Sequence, residues 1–270
     1  EVHRLKTASM RGSFSQGTVL PSAIFANEIA TVDPSDPLAL QRAIRVGLWE
    51  SDIDDPTLFC GDFPTHLARK SGSIRAENLT PEQWEVIADL NWIATEKVDG
   101  TSCTLIRDKD GELVLASRKM QARLDTNNRY SRAVIDVGLD AALLAEADVD
   151  TIQMEIAGPT TGHKNTLDLK GPRVFIFAVL KGREAVPRAE WPQWALNLAA
   201  PVLEVNFPET VTELVAMADG LESVVTPGRR AEGMVWSLAG GAAEQRLLPA
   251  ELEHPTIKVI SRKLLARNKD

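Results

Sequence analysis

The stretch Trp92-Ile93-Ala94-Thr95-Glu96-Lys97-Val98-Asp99-Gly100-Thr101-Ser102-Cys103-Thr104-Leu105-Ile106-Arg107 decides how this chain is read. Trp92 to Lys97 and Thr101 to Arg107 are rich in β-branched and apolar residues, and each reads as a strand. Asp108-Lys109-Asp110-Gly111 is a turn signal, and Leu113 to Ser117 follows as the return strand of a tight hairpin. Lys97 therefore stands where one strand gives way to a glycine-containing loop.

Upstream, a helix starts at the cap Thr80, with Pro81 first and Gln83 completing a capping box. Trp84, Ile87 and Ala88 share its apolar face, and it ends near Leu90. Downstream, the spacing of Val134, Val137 and Leu144 predicts a helix over Tyr130 to Ala147, with Gly138 unfavourable inside it. Thr210 and Glu213 open another helix that reaches Asp219. Thr151 to Ala157, Arg173 to Leu180, Gly233 to Leu238 and Thr256 to Ser261 read as strands, the second apolar on both faces and so central in a sheet. Residues 31 to 78 carry dense turn chemistry and read as irregular connection. Short helices among many strands, without regular βαβ alternation, predict an α+β architecture of antiparallel sheets flanked by helices.

The 270 residues are 44% hydrophobic and 25% charged, an ordinary globular composition for one or two domains. Thirty Lys and Arg against 38 Asp and Glu leave a net charge of −8. General adhesion to nucleic acid or anionic lipid is not supported, and a polyanion would need a local basic patch. The longest strongly apolar run, Val174 to Leu180, is far shorter than the roughly 20 residues that span a bilayer. Cys60 and Cys103 are too few for a disulfide framework and form no Cys-x-x-Cys pair, so a reducing compartment, the cytoplasm, is expected. His3, His66, His163 and His254 lack metal-ligand spacing.

Lys97 next to a glycine turn is the strongest chemical feature. A lysine amine near a metal or another cation, or partly desolvated, loses its proton more readily and becomes a nucleophile, while Gly100 allows close backbone approach to a ligand. Alone, Lys-x-Asp-Gly reads more commonly as a solvated strand-end lysine before a hairpin turn. Five further segments follow it in order: Ser117-Arg118; Gln153-Met154-Glu155-Ile156-Ala157-Gly158-Pro159 with Lys164-Asn165; Val174 to Val179, containing Phe175 and Phe177; Ala231-Glu232-Gly233-Met234-Val235; and Ile257-Lys258-Val259-Ile260-Ser261. Taken singly, Glu155 and Glu232 read as solvated strand residues, Phe177 as core, and Arg118 and Lys258 as surface charge.

Taken together, the segments resemble the covalent nucleotidyltransferase superfamily of RNA ligases, DNA ligases and mRNA capping enzymes. The Glu155 segment with Lys164-Asn165 looks like the phage double-strand RNA ligase and disfavours the DNA ligase and capping guanylyltransferase alternatives. Ile260-Ser261 and the segment Met10 to Gly17 resemble the Deinococcus-type RNA ligases, in which that segment follows an OB-like domain.

The resemblance implies an ATP-grasp-like nucleotidyltransferase fold over residues 1–270, with 1–90 as N-terminal segment, 91–270 as motif-bearing core, and the OB-like domain absent from this chain. It implies that Lys97 is the nucleotidylated residue and that Lys258 and Arg118 join it in catalysis. Glu96, Lys97, Asp99, Gly100, Arg118, Glu155, Phe177, Glu232 and Lys258 would bind the nucleotide, Phe177 stacking on adenine and Lys258 meeting the α-phosphate. Glu155 and Glu232 would hold Mg or Mn, hard ions that take oxygen ligands. The implied activity is an ATP-dependent RNA ligase that makes lysyl-AMP, adenylates a 5′-phosphate end and seals nicks in RNA or RNA/DNA duplexes. Two departures, Ala178 where the phage type has Asp and Ile260 where it has a second lysine, together with the missing OB-like domain, motivate a rival: a non-catalytic RNA-end binding protein. Lys258, Arg262, Lys263, Arg267 and Lys269 read equally as a phosphate-binding patch and as a solvated basic helix end.

Overall fold

The computed structural model describes residues 74–108, 110–117, 121–122, 124, 129–159, 165–182, 184–248 and 256–263, together with four short strands near the N-terminus. Those four are β1 (Val2–Arg4), β2 (Ser9–Met10), β3 (Ser13–Phe14) and β4 (Val19–Pro21), with β1 antiparallel to β4 and β2 antiparallel to β3.

The rest is built on two sheets. One has five strands in the order β13-β6-β14-β15-β5: β5 is Ile74–Arg75, β6 Trp92–Lys97, β13 Val202–Leu203, β14 Gly233–Leu238 and β15 Thr256–Ile260. Its pairs are antiparallel except β15 with β5, which is parallel. The other has six antiparallel strands in the order β12-β11-β10-β7-β8-β9: β7 is Thr101–Arg107, β8 Leu113–Ala116, β9 Gln121–Ala122, β10 Thr151–Ala157, β11 Arg173–Lys181 and β12 Glu184–Ala185. The expected antiparallel α+β architecture is present.

The two strands that flank the Lys97 loop belong to different sheets. Val98-Asp99-Gly100 carries the chain across, so Lys97 lies at the seam. A second stitch crosses close by. Ile176 of β11 donates to Leu198 O and accepts from Ala200 N, both at 2.7 Å, and Pro201 O then accepts from Glu96 N on β6 at 3.0 Å.

Each sheet gives one face to a core, following the period-2 alternation of strand side chains. In the five-stranded sheet Ala94, Met234, Trp236, Ile257 and Val259 pack with Trp84 and Ile87 of α1 (Pro81–Ala88) and Leu214, Val215 and Ala218 from the helix that follows β13. Phe207 stacks on Trp84 and Trp92 at 4.9 and 5.2 Å and meets Trp236 edge-on at 5.1 Å. The capping box foreseen at Thr80 and Gln83 is formed.

In the six-stranded sheet Cys103, Leu105, Leu115, Ile152, Met154, Ile156, Val174 and Ile176 face a core closed by α2 (Arg129–Asp136) and α3 (Leu139–Ala145), with Ala195 of α4 (Gln193–Asn197). The single helix expected over Tyr130 to Ala147 is two. Gly138 takes φ 70°, a left-handed conformation glycine adopts without strain, and the chain turns there. The remaining helices are α5 (Val211–Gly220), capped by Thr210 as expected, and α6 (Gly241–Gln245). No described helix is long and apolar enough to cross a membrane.

Arg107, at the end of β7, fastens α3 to its sheet. Its guanidinium donates to the carbonyls of Leu143 at 3.1 Å, Leu144, Glu146 and Val149 at 2.9 Å, satisfying acceptors that a helix leaves open at its C-terminus. Arg107→Ala is expected to lower the unfolding free energy by about 2 kcal/mol, read by urea titration.

Candidate active site

Lys97 ends β6, and its amine points to the side of the five-stranded sheet opposite the Trp236 core. Register fixes its neighbours: Lys97 pairs with Gly233, which pairs with Ile260, while Thr95 pairs with Val235, which pairs with Lys258. Directly paired residues share a face, so Lys97, Thr95, Val235, Lys258 and Ile260 line the face away from that core. Ile260 stands in the Lys97 row, at the position where a second lysine would otherwise be.

Glu232 immediately precedes β14, and its Oε2 lies 2.6 Å from Lys97 Nζ with both side chains largely buried, at 15% and 23% exposure. Burial pushes the Glu232 carboxyl above the ordinary carboxylate range. Lys97 and Lys258 oppose that shift and Asp99 adds to it. Glu232 therefore senses the three other residues electrostatically. Gly233 is required by packing, since a Cβ there would stand 1.9 Å from Val259 O. Gly100 is equally confined, its Cβ position lying 2.4 Å from Ile156 O on β10. That close approach draws the loop after Lys97 against the six-stranded sheet. Asp99 accepts from the Thr166 hydroxyl at 3.1 Å.

The six-stranded sheet contributes its own open face. Glu155 on β10 pairs with Ser102 on one side and Phe175 on the other, so these three share a face opposite the Met154 core. Between Gln153 and Met154 the register with β11 slips by one, and Phe177 is the residue without a partner. This bulge changes the phase of β11: Val174 and Ile176 face the helical core before it and Val179 after it. Phe175 is buried, with Arg173 over its ring at 5.0 Å, whereas Phe177 is half-buried against the small cluster containing Val98, Ala157 and Leu169. Of the two aromatics, Phe177 keeps ring surface open.

Lys97, Asp99, Glu232 and Lys258 are thus gathered, and Gly100, Glu155 and Phe177 stand on the neighbouring loop and sheet. Arg118 lies outside the described residues, as do Lys164, Arg267 and Lys269. Glu96 is not brought to the amine. Alternation turns its side chain to the opposite face, where it is 2% exposed and its carboxylate accepts from Ser223 Oγ at 2.6 Å, Val224 N at 2.7 Å and Val225 N at 3.1 Å. It is a clamp on the loop after α5. Arg262, read from sequence as part of a basic patch, has its guanidinium on Asp219 at 2.7 and 2.9 Å. Asn165 closes its own loop through both amide atoms on Leu169. Sequence reasoning missed Asp219 and Ser223, whose partners are 43 and 127 residues away.

The carboxylate chemistry here is all oxygen, and among the described residues no group of three Asp, Glu, His or Cys forms a cage for a metal ion. Glu155 and Glu232 offer oxygen donors, the donor type that a hard divalent ion takes.

The model of the RNA ligase family matches residues 90–259. The chain belongs to the RNA ligase family. Within it, the fold is similar to solved structures of a Naegleria gruberi RNA ligase. The form with PPi aligns with TM-score 0.65 at 24% identity, covering 98% of this chain and 77% of that one. A lysine-substituted form of that ligase with AMP and Mn gives the same score, identity and coverage, and another with ATP and Mn aligns at TM-score 0.65 and 23% identity, again over 98% and 77%. A search of curated proteins finds no match.

Two outcomes follow for this RNA ligase family member. Glu232 binds its proton more tightly folded than unfolded, so its contribution to stability is present below the ordinary carboxylate pKa and is lost as pH rises through the raised folded value. Glu232→Gln mimics the protonated side chain, and its melting temperature relative to wild type should rise between pH 4 and pH 7 in a scan of both proteins. Glu96→Ala leaves one hydroxyl and two backbone N–H groups without their acceptor, and should cost roughly 3 kcal/mol in urea unfolding.

Proposed function

We propose that this protein is an ATP-dependent RNA ligase that works through a lysyl-AMP intermediate on Lys97 and seals 3′-hydroxyl to 5′-phosphate nicks in RNA or RNA/DNA duplexes. The observation that carries the reading is the Lys97 amine held 2.6 Å from Glu232 on the sheet face away from the helical core, with Lys258 electrostatically coupled to the same carboxylate. Family membership and the similarity to a ligase solved with PPi, and in lysine-substituted form with AMP or ATP and Mn, support it.

Lys97 attacks as the neutral amine, so its proton must leave first. Glu232 is already its hydrogen-bond acceptor, and burial raises that carboxylate's affinity for a proton. The amine then forms a bond to the α-phosphorus of ATP while the α–β phosphoanhydride bond breaks and pyrophosphate departs. AMP passes from Lys97 to a 5′-phosphate end, and a 3′-hydroxyl attacks that activated phosphate with release of AMP. Lys258 supplies positive charge for the phosphate oxygens, which carry the charge of the transition state. Phe177 offers a ring face for the base. Glu232 and Glu155 would hold Mg or Mn, whose contribution when bound is to neutralise phosphate charge. The buried free thiol of Cys103 is consistent with work in the cytoplasm.

The test is incubation with α-labelled ATP and Mg, followed by denaturing gel and acid treatment. Wild type is expected to carry acid-labile label and Lys97→Ala none. A folded wild type that takes no label with Mg or Mn, yet binds RNA ends, would replace this reading with the non-catalytic one.

A further inference from the structure

We infer that Asp219 is a positioning residue for the Lys97 centre, holding Glu232 and Lys258 in place through the segment that leaves β15. The inference rests on the adenylation reading above.

Asp219 is the penultimate residue of α5 and is buried, at 8% exposure. Its Oδ1 accepts from the backbone N–H of Arg262 at 2.7 Å and from the Ser261 hydroxyl at 3.5 Å. Its Oδ2 takes two guanidinium nitrogens of Arg262, at 2.9 and 2.7 Å. Burial works against the charge on Asp219, but the Arg262 side chain and the backbone N–H groups of Arg262 and Lys263 outweigh it and hold the carboxyl below its ordinary range. The carboxylate is therefore ionised and fully engaged at neutral pH.

What it grips is the end of the strand that carries Lys258. Ser261 itself is 2% exposed, and its backbone N–H donates to Glu232 O at 2.8 Å. The last ladder pair between β14 and β15 is Gly233 with Ile260. Glu232 lies one residue beyond that pair, where a strand end ordinarily frays. The Ser261 bond extends the pairing by one step and fixes the backbone from which the Glu232 carboxylate reaches Lys97. Asp219 holds Ser261 and Arg262 in turn. Its effect on the Lys97 centre passes through the main chain that carries Glu232 and Lys258.

The experiment is the single-turnover rate of lysyl-AMP formation with α-labelled ATP and Mg, for wild type, Asp219→Ala, Asp219→Asn and Arg107→Ala. Arg107 fastens α3 to the other sheet and controls for loss of stability alone. At saturating ATP, Asp219→Ala should slow the step by roughly tenfold or more, as expected when reacting groups are displaced. The ATP concentration for half-maximal rate should change by less than about threefold, because the groups that move act on the reacting phosphate. Asp219→Asn keeps an oxygen for the Arg262 N–H and should recover part of the rate. Arg107→Ala, at a comparable loss of melting temperature, should react at the wild-type rate. A wild-type rate for Asp219→Ala, or equal slowing of Arg107→Ala, overturns the inference. Should Asp219→Ala not fold, Asp219→Asn decides: slowing of about threefold supports the inference and an unchanged rate overturns it. Absence of label on wild type overturns the adenylation reading itself, and this inference falls with it.

Discussion

A lysine amine and a carboxylate held 2.6 Å apart in a largely buried seam form an arrangement that water would dissolve and that only the fold can impose. Taking both charges out of water is costly, and their attraction repays it only with close geometry. The partners are 135 residues apart in the chain. Their meeting depends on β6 and β14 being neighbours, on Gly233 letting β14 lie against β15, and on Gly100 letting the next loop lie against β10. Burial that raises the proton affinity of Glu232 is the same burial that gives the pair its geometry.

The two sheets divide their labour by strand alternation. One face of each is apolar and covered by helices, and the other carries Lys97 and Lys258 on one sheet and Glu155 on the other. β11 needs more than alternation, because Phe175 and Phe177 must turn from the helical core while Val174, Ile176 and Val179 pack into it. The bulge at Phe177 adds the residue that makes both possible. A similar economy governs the buried carboxylates. Glu96 and Asp219 each bind backbone N–H groups of segments next to the site, so neither is spare charge available to substrate.

Local signals were readable in the sequence: the strands from Trp92, Thr101, Thr151, Arg173, Gly233 and Thr256, the cap and box at Thr80 and Gln83, and the cap at Thr210 all lie where patterning puts them. Strand partnership was not, because pairing is non-local. Nothing between Lys97 and Thr101 says that β6 and β7 enter different sheets. The same limit hid the clamp of Glu96 and the grip of Asp219, whose meaning lies in residues far along the chain. Periodicity alone makes Gly138 a weak point inside one helix, and its positive φ makes it a break between two. The short α4 and α6 carry too few residues for periodicity to speak. The Lys97, Glu232 and Lys258 set is legible only through the family resemblance, since each residue taken singly reads as a strand or surface charge.

The charge balance of this cleft bears on how a nucleotide would enter it. The chain is net negative, and a triphosphate approaching it meets no general attraction. Arg262, which adds to the positive count in sequence, has its charge matched by Asp219. Lys97 has its charge matched by Glu232, and Lys258 acts on the same carboxylate. Phosphate oxygens entering the cleft would compete with Glu232 for these two lysines. The ion pair holds the Lys97 amine in place on a net acidic protein, where no general field would do so.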